Sequence, residues 1–216
     1  TSFPYDRNGN LESSTRAGVT TTHAYDAANQ LVATTDGRGT RTSYAYDAAG
    51  RGLTRIVDPD GLKLTTAWKY DALGRRVAMT DANGVVTTTE FDRKGQAVTQ
   101  VVDPGGLALV TRYSYDAAGN ALTVTAPDGT VTRSLYDPQG RRTSETTDPG
   151  RLAATRSWTY DANGNVVTAT DALGHVTRFA YDAANRLVFT VDPLGGVRQE
   201  RHDAVKAAGG LHIVGT

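Results

Sequence analysis

An aromatic residue followed by aspartate recurs along the chain at nearly constant spacing, and no other feature constrains the fold as strongly. Successive pairs lie 20 to 24 residues apart, and from Tyr25 to Tyr160 the steps alternate between 21 and 24 residues. A period of about 20 to 50 residues is typical of arrays in which one supersecondary unit packs on the next. The nine pairs are Tyr5-Asp6, Tyr25-Asp26, Tyr46-Asp47, Tyr70-Asp71, Phe91-Asp92, Tyr115-Asp116, Tyr136-Asp137, Tyr160-Asp161 and Tyr181-Asp182.

The residue three positions after each of these aspartates is always Gly or Asn. Both residues enter the left-handed backbone region at low cost, as a type I turn closed by a G1 bulge requires. The aspartate can accept hydrogen bonds from the amides of its own turn. The pattern therefore predicts a hairpin turn, here called the first turn of each repeat. Its predicted residues are Asp6, Gly9, Asp26, Asn29, Asp47, Gly50, Asp71, Gly74, Asp92, Gly95, Asp116, Gly119, Asp137, Gly140, Asp161, Gly164, Asp182 and Asn185.

A second Asp-x-x-Gly turn of a single kind is predicted midway through each repeat. Two copies deviate, because Ala126 replaces the aspartate before Gly129 and Asp148-Pro149-Gly150 brings the glycine forward by one position. Nine first turns and eight second turns predict about 18 strands. The regular second turns run from Asp36 to Gly39, Asp58 to Gly61, Asp81 to Gly84, Asp103 to Gly106, Asp171 to Gly174 and Asp192 to Gly195.

Residues between the turns alternate as expected for half-buried strands. The rings of Phe179 and Tyr181 are predicted on one face, and Arg178 and Ala180 on the other. Sheets of more than about 10 strands rarely stay flat. The sequence therefore predicts an all-β fold of tandem antiparallel hairpins forming one long curved or spiralling sheet. The alternation of 21 and 24 residues is a candidate determinant of the curvature.

The composition favours a thin sheet over a thick globular core. Only 38% of the residues are hydrophobic, and the abundant Thr, Gly, Asp and Arg suit turns and half-buried pleated surfaces. Lys plus Arg and Asp plus Glu number 23 each, so no net field attracts the chain to nucleic acid. Neither a membrane span nor a secretory signal is predicted within the sequence, because it has no apolar run of about 18 residues and no leader pattern.

No arrangement of side chains predicts catalysis, a metal ion or another cofactor. Nearly all aspartates occupy turn positions, and the four histidines form no spaced pair. Asp58-Pro59-Asp60-Gly61 resembles the start of a calcium loop but lacks the later ligands. The protein is therefore predicted not to be an enzyme. Aromatic rings can also stack on sugars, and six are candidates for such contacts: Trp68, Tyr70, Tyr113, Trp158, Tyr160 and Phe179.

The repeat resembles the YD repeat of the bacterial RHS (rearrangement hotspot) family, which is related to animal teneurins and to the B and C subunits of insecticidal toxin complexes. Tyr115-Asp116-Ala117-Ala118-Gly119-Asn120 and Tyr181-Asp182-Ala183-Ala184-Asn185-Arg186-Leu187 are similar to the family pattern Y-D-x-x-G-[NR]-[LV]. The resemblance spans residues 5 to about 203. It implies a long β-strip that winds into a hollow shell around a toxic carboxy-terminal domain or a core segment.

On this resemblance, residues 1–203 are predicted to form a repeat sheet of about nine to ten repeats, and residues 204–216 a tail outside the repeat. The family's self-cleaving aspartates have no counterpart here, since Asp192-Pro193-Leu194-Gly195 falls on an ordinary second turn. The chain is then a wall segment whose partners are the other repeats and the toxin or cargo domain of a longer polypeptide. We expect that polypeptide to be secreted or displayed on the bacterial surface, with an export signal outside this sequence.

Three interpretations of function stay open at the level of the sequence. The first is a structural wall that encloses, protects or displays a polymorphic toxin, and the number and regularity of the repeats favour it. The second is a surface adhesion or carbohydrate-binding module, with a glycan as partner and aromatic rings exposed on a concave face. The third, an enzyme, is disfavoured because turn formation accounts for the recurring polar groups. Unpaired edge strands also favour self-association.

Substitution of Gly119 tests the first-turn prediction. Val at this position is expected to lower the free energy of unfolding by roughly 1 kcal/mol or more, because a β-branched residue is strained in the left-handed region. Asn is expected to cost much less. Urea unfolding of Gly119→Val and Gly119→Asn measures the difference, and equal effects would contradict the turn assignment.

Overall fold

A computed structural model describes residues 1–150 and 153–202, so the predicted tail at residues 204–216 lies outside the described residues. The described residues contain 18 strands in one antiparallel sheet and no helix. The predicted all-β architecture of tandem antiparallel hairpins is confirmed. The chain divides into two compact units, Thr1–Tyr113 and Ser114–Thr216.

In the first unit, each strand pairs antiparallel with the next one along the chain. Its first hairpin is preceded by isolated bridges that join Ser2 to Thr15 and Tyr5 to Leu11. The strands are β1 Ser13–Arg16, β2 Val19–Tyr25, β3 Leu31–Thr35, β4 Arg41–Tyr46, β5 Gly52–Val57, β6 Leu64–Tyr70, β7 Arg76–Thr80, β8 Val86–Phe91, β9 Ala97–Val102 and β10 Leu109–Tyr115, whose last two residues belong to the second unit.

The second unit is also a meander, with antiparallel pairing of consecutive strands. Its pairing register shifts at a β-bulge directly before the aromatic residue, as at Thr159/Tyr160 and Ala180/Tyr181. The strands are β11 Ala121–Thr125, β12 Val131–Tyr136, β13 Arg142–Thr147, β14 Ala154–Tyr160, β15 Val166–Thr170, β16 Val176–Tyr181, β17 Leu187–Val191 and β18 Val197–Gln199.

Neither unit has a thick core. Among the described residues only Ala33 and Ser134 are buried, each at 7% exposure. Along β16, Phe179 and Tyr181 are half-buried while Arg178 and Ala180 are exposed. Successive side chains of a strand point to opposite faces, so one face of β16 is more covered than the other. The sheet is therefore held together mainly by contacts between adjacent strands.

The 24-residue repeats are longer because they gain three residues around the second turn. Strands β5 and β6 have 6 and 7 residues, whereas β7 and β8 of a 21-residue repeat have 5 and 6. The connecting turns are residues 58–63 and 81–85 respectively. Each strand of the long hairpin thus gains one residue, and the turn gains the third.

The grouping of the Asp58 and Asp103 turns with the short second turns is wrong, because the long hairpins, including the deviating copy at Asp148, have a turn of their own. Short second turns place Gly39 and Gly84 in the left-handed region, at φ 86° and 83°. In the long turn the left-handed residues are instead Asp103 and Ala108, at φ 54° and 49°. The amide of Ala108 donates to the Asp103 carbonyl at 2.8 Å and closes this wider turn.

In the long turn that begins at Asp103, Gly106 lies in close approach to the aspartate. A Cβ atom at Gly106 would collide with the carboxylate of Asp103, whereas a Cβ at Gly105 would meet nothing within 4 Å. That carboxylate accepts a hydrogen bond from the Leu107 amide at 3.0 Å. A side chain at position 106 would therefore push the carboxylate away from its donor.

Alanine substitutions at the two neighbouring glycines separate this effect from the general flexibility of glycine. Gly106→Ala is expected to lower the free energy of unfolding by about 1 kcal/mol, the typical net contribution of a hydrogen bond. Gly105→Ala is expected to be neutral or slightly stabilising, since it restricts the unfolded chain without a clash. Urea unfolding compares the two variants, and a larger loss for Gly105→Ala would refute the close-approach explanation.

Candidate functional site

The first turns share one hydrogen-bond pattern, which is built on the aspartate. In a representative copy, Asp161 Oδ1 accepts from the backbone amides of Asn163 and Asn165, each at 2.9 Å. The Gly164 amide donates to the Asp161 carbonyl at 3.2 Å. The fourth residue of every first turn has positive φ, and these residues are Gly9, Asn29, Gly50, Gly74, Gly95, Gly119, Gly140, Gly164 and Asn185.

The residue four positions after each aspartate contacts the second carboxylate oxygen in most repeats. Arg51 Nε lies 2.6 Å from Asp47 Oδ2, and Asn120 Nδ2 donates to Asp116 Oδ2 at 2.8 Å. Sequence reasoning gave this position no role, although only Asn, Gln and Arg occupy it. The nine residues are Asn10, Gln30, Arg51, Arg75, Gln96, Asn120, Arg141, Asn165 and Arg186.

Arginines at this position also reach the following repeat. Arg75 Nη1 donates to the Asp92 carbonyl at 3.1 Å, and its guanidinium carbon lies 4.8 Å from the centre of the Phe91 ring. In the second unit Arg141 lies 4.7 Å from the Tyr160 ring and bonds the carbonyl of the next aspartate. Each such arginine thus joins its own turn to the next one. We call these aspartates, their partners four residues later and the next aromatic rings the turn ladder.

Tyrosine hydroxyls link the repeats in the opposite direction. Tyr46 donates to the carbonyl of Leu31 at 2.8 Å, and Tyr160 donates to that of Arg142 at 2.7 Å. Both acceptors are the first residue of the strand that leaves the preceding first turn. The aromatic residue is therefore tied by its ring and by its hydroxyl to the repeat before it.

Hydrogen bonds keep the turn carboxylates charged. The side-chain hydrogen bond from Asn165 is the largest cause of the lowered pKa of Asp161. Asn120 acts in the same way on Asp116, whose pKa is also lowered. Carboxylates that accept several hydrogen bonds are stabilised in the ionised form. The ladder therefore depends on ionised aspartates.

The six aromatic residues predicted as candidate sugar contacts lie on four strands, β6, β10, β14 and β16, and all are half-buried. An arginine covers part of the Tyr70 ring, with a distance of 4.9 Å from Arg51 to the ring centre. Among the described residues no cluster of three or more His, Asp or Glu could hold a metal ion. The described part of the chain also has no helix long and apolar enough to cross a membrane.

These features define a tandem β-hairpin repeat protein whose turns are connected by charged and aromatic side chains. The family model described as RHS Repeat matches residues 5–41, 25–63, 46–86, 91–131, 115–153 and 160–197. The chain therefore belongs to the RHS repeat family, and the resemblance seen in the sequence is confirmed. A comparison with curated proteins found no match.

Solved structures share the fold. TcdB2-TccC3-TEV gives a TM-score of 0.69 at 17% identity and covers 90% of this chain and 12% of that chain. TcdB2-TccC3 gives 0.62 at 14% identity, covering 94% and 15%. The Photorhabdus luminescens Tc holotoxin pore gives 0.59 at 16% identity, covering 87% and 12%. This chain thus spans less than a sixth of each of these chains, and at such identities the likeness concerns the fold alone.

Removal of one ladder arginine tests whether it couples repeats. Arg141→Met keeps an unbranched stem but loses both contacts to the next repeat. Asn120→Leu is the control, because Asn120 binds its own Asp116 and forms no hydrogen bond to a later repeat among the described residues. Urea unfolding is expected to show a loss about 1 kcal/mol larger for Arg141→Met. Equal losses would mean that the ladder holds single turns but not neighbouring repeats together.

Acid is expected to destabilise the sheet through these carboxylates. The pKa is lowered at Asp6, Asp47, Asp71, Asp116, Asp137, Asp161 and Asp182. Because the unfolded value is about 4, the stability they contribute is present above that pH and is lost as the pH falls through the lower folded values. The urea midpoint should stay level from about pH 7 to 5 and fall below about pH 4. Asp161→Asn should reduce the fall, and an unchanged midpoint in acid would be inconsistent with charged turns.

Proposed function

We propose that this chain is a wall segment that encloses, protects or displays a polymorphic toxin or another partner domain within a longer polypeptide, without catalysis of its own. The observation that carries the proposal is the turn ladder on a sheet without a thick core. Such an arrangement repeats one contact between neighbours. Added repeats therefore make the sheet longer, whereas residues added to a globular domain would enlarge its core.

The distribution of burial supports a wall. Only Ala33 and Ser134 are buried among the described residues, so nearly every residue contributes to one of the two faces. A single layer encloses more volume per residue than a packed domain does, because no residues are spent on an interior. The shared fold covers 87 to 94% of this chain but only 12 to 15% of the relatives, which fits one part of a longer array that curves into a hollow shell.

The surface chemistry also suits a container. Positive and negative residues balance at 23 each, so a cargo of either sign meets no strong net field. The strands are rich in threonine, as in Val86–Phe91 and Arg142–Thr147. A polar lining of this kind limits hydrophobic capture of an incompletely folded cargo. We further propose that the longer polypeptide is secreted or displayed at the cell surface.

Protection of a cargo domain tests the proposal. In the complete natural polypeptide, the cargo is expected to resist proteinase K under conditions that digest the same domain expressed alone. Deletion of residues 116–160 removes one 45-residue period and joins Tyr115 to Asp161, which restores a Tyr-Asp pair. This shortened wall is expected to fold and to leave the cargo open to digestion. Gly119→Asn in the full-length polypeptide is the control, and it should keep the protection.

Two outcomes would overturn the wall function. One is digestion of the cargo in the intact polypeptide as fast as the free domain. The other is unchanged protection after the deletion, which would place the protecting surface elsewhere. A loss of glycan binding in Trp158→Ala, in a polypeptide that protects no cargo, would instead support the adhesion interpretation.

A further inference from the structure

A shallow depression in the second unit sets one repeat apart from its equivalents. Its volume is about 290 Å³, and Arg156, Trp158, Ala169, His175, Thr177 and Pro193 contribute to its lining. Trp158 pairs with Ala169, and Ala169 pairs with Thr177. The three side chains therefore form a row across β14, β15 and β16. The small Ala169 in the middle leaves space beside the indole.

One side of the indole is covered and the other lines this space. The guanidinium of Arg142 lies 5.0 Å from the Trp158 ring centre. Arg142 belongs to β13, which flanks β14 on the side opposite β15. The ring face directed toward Ala169 is therefore the one that a ligand in the depression would meet.

The depression carries a cation that has no ionic partner in the described part of the chain. Arg156 lies two residues before Trp158, on the same face of β14. Its cross-strand neighbour Glu145 is bound by Arg142, and Arg156 forms no ion pair with any described residue. A guanidinium in this position favours a bidentate contact with a carboxylate.

A histidine lies at the same rim. His175 Nδ1 is 2.9 Å from Asp171 Oδ2, so the ring is oriented and its Nε2 is left for another contact. Asp171 Oδ1 is already used by the amides of Leu173 and His175, at 2.8 and 2.9 Å. This aspartate therefore serves its turn and orients the imidazole.

The equivalent repeat, 90 residues earlier, lacks each of these features. It keeps the indole as Trp68, but Met79 stands in place of Ala169 and is the direct cross-strand neighbour of the ring. Thr66 stands in place of Arg156, and Val85 in place of His175. Met79 thus fills the space beside Trp68, and the cation of that repeat, Arg55, lies on the neighbouring strand β5, across from Thr66. Beside Trp158 the space is open, and the guanidinium of Arg156 stands on the same strand as the indole.

We propose that this depression binds a sugar that carries a carboxylate, of the uronic acid type. The free face of Trp158 would pack against the C–H groups of the sugar ring, as aromatic side chains do with partly apolar ligands. Arg156 would bind the carboxylate. Nδ1 of His175 donates to Asp171, so its Nε2 would accept a hydrogen bond from one sugar hydroxyl, and the Thr177 hydroxyl would contact another. A simple anion would leave the indole unused, and a neutral sugar would leave the guanidinium unused. The site is independent of enclosure, so it can be tested whether or not the wall protects a cargo.

Trp158 supplies a direct readout. The chain has two tryptophans, so Trp68→Phe leaves Trp158 as the single indole. Titration with galacturonic acid oligomers is expected to change its fluorescence and to saturate. Galactose oligomers should bind at least about tenfold more weakly, because a contact between charged groups is lost. Inorganic phosphate should cause no change. No response to the acidic oligomer at millimolar concentration would overturn the proposal, as would equal competition by phosphate.

Variants taken from the equivalent repeat separate binding from folding. Ala169→Met is expected to abolish binding by filling the depression, and Arg156→Thr to weaken it about tenfold for the acidic oligomer alone. Both should leave the urea midpoint nearly unchanged, since the Trp68 repeat contains these residues. The reciprocal change, Thr66→Arg with Met79→Ala and Val85→His in a Trp158→Phe chain, should create binding at Trp68. Unaltered binding by Ala169→Met would refute the site.

Discussion

The carboxylate of the first-turn aspartate is the group on which the rest of the structure depends. One of its oxygens accepts two amides of its own turn, as at Asp161, and the other binds the side chain four residues later, as Asn165 does there. Where that side chain is arginine, the same carboxylate orients a guanidinium that reaches the next repeat, as at Arg75. Turn conformation and repeat stacking are thus set by one ionised group.

A sheet without a thick core must draw its stability from many modest contacts between neighbours. With only Ala33 and Ser134 buried in the described residues, hydrophobic burial is spread thinly over partly covered side chains. Hydrogen bonds, ring contacts and arginine stacking contribute on the order of 0.5 to 1.5 kcal/mol each. Their repetition compensates for their small size, because stability in such arrays is approximately a sum over neighbouring units. The regular spacing of the sequence places the same contacts at each pair of neighbouring repeats, so that their contributions add.

Much of this fold could be predicted from sequence because its turns use residues with few conformational alternatives. Glycine or asparagine three positions after each aspartate predicts positive φ, and period-two alternation gives the strands between the turns. The long second turn could not be predicted in this way, since Ala108, one of its two left-handed residues, is not a residue type that signals a left-handed backbone. The role of Arg75 was also missed, although its position admits only three residue types, because its target lies 17 residues away across the sheet. The opening beside Trp158 likewise depends on the small Ala169 of β15, and only the pairing register shows that Ala169 faces Trp158.

Consecutive strands are the contact partners among the described strands of each unit, and this has a consequence for how the chain acquires its structure. No strand must wait for a segment far along the sequence, so the entropy of closing long loops is avoided. Each hairpin can form soon after it leaves the ribosome and then attach to the one before it, in the order of synthesis. A very long array can therefore be completed by successive local steps. The folding time of such an array is then expected to increase with its length, because each strand pairs only with its neighbours along the chain.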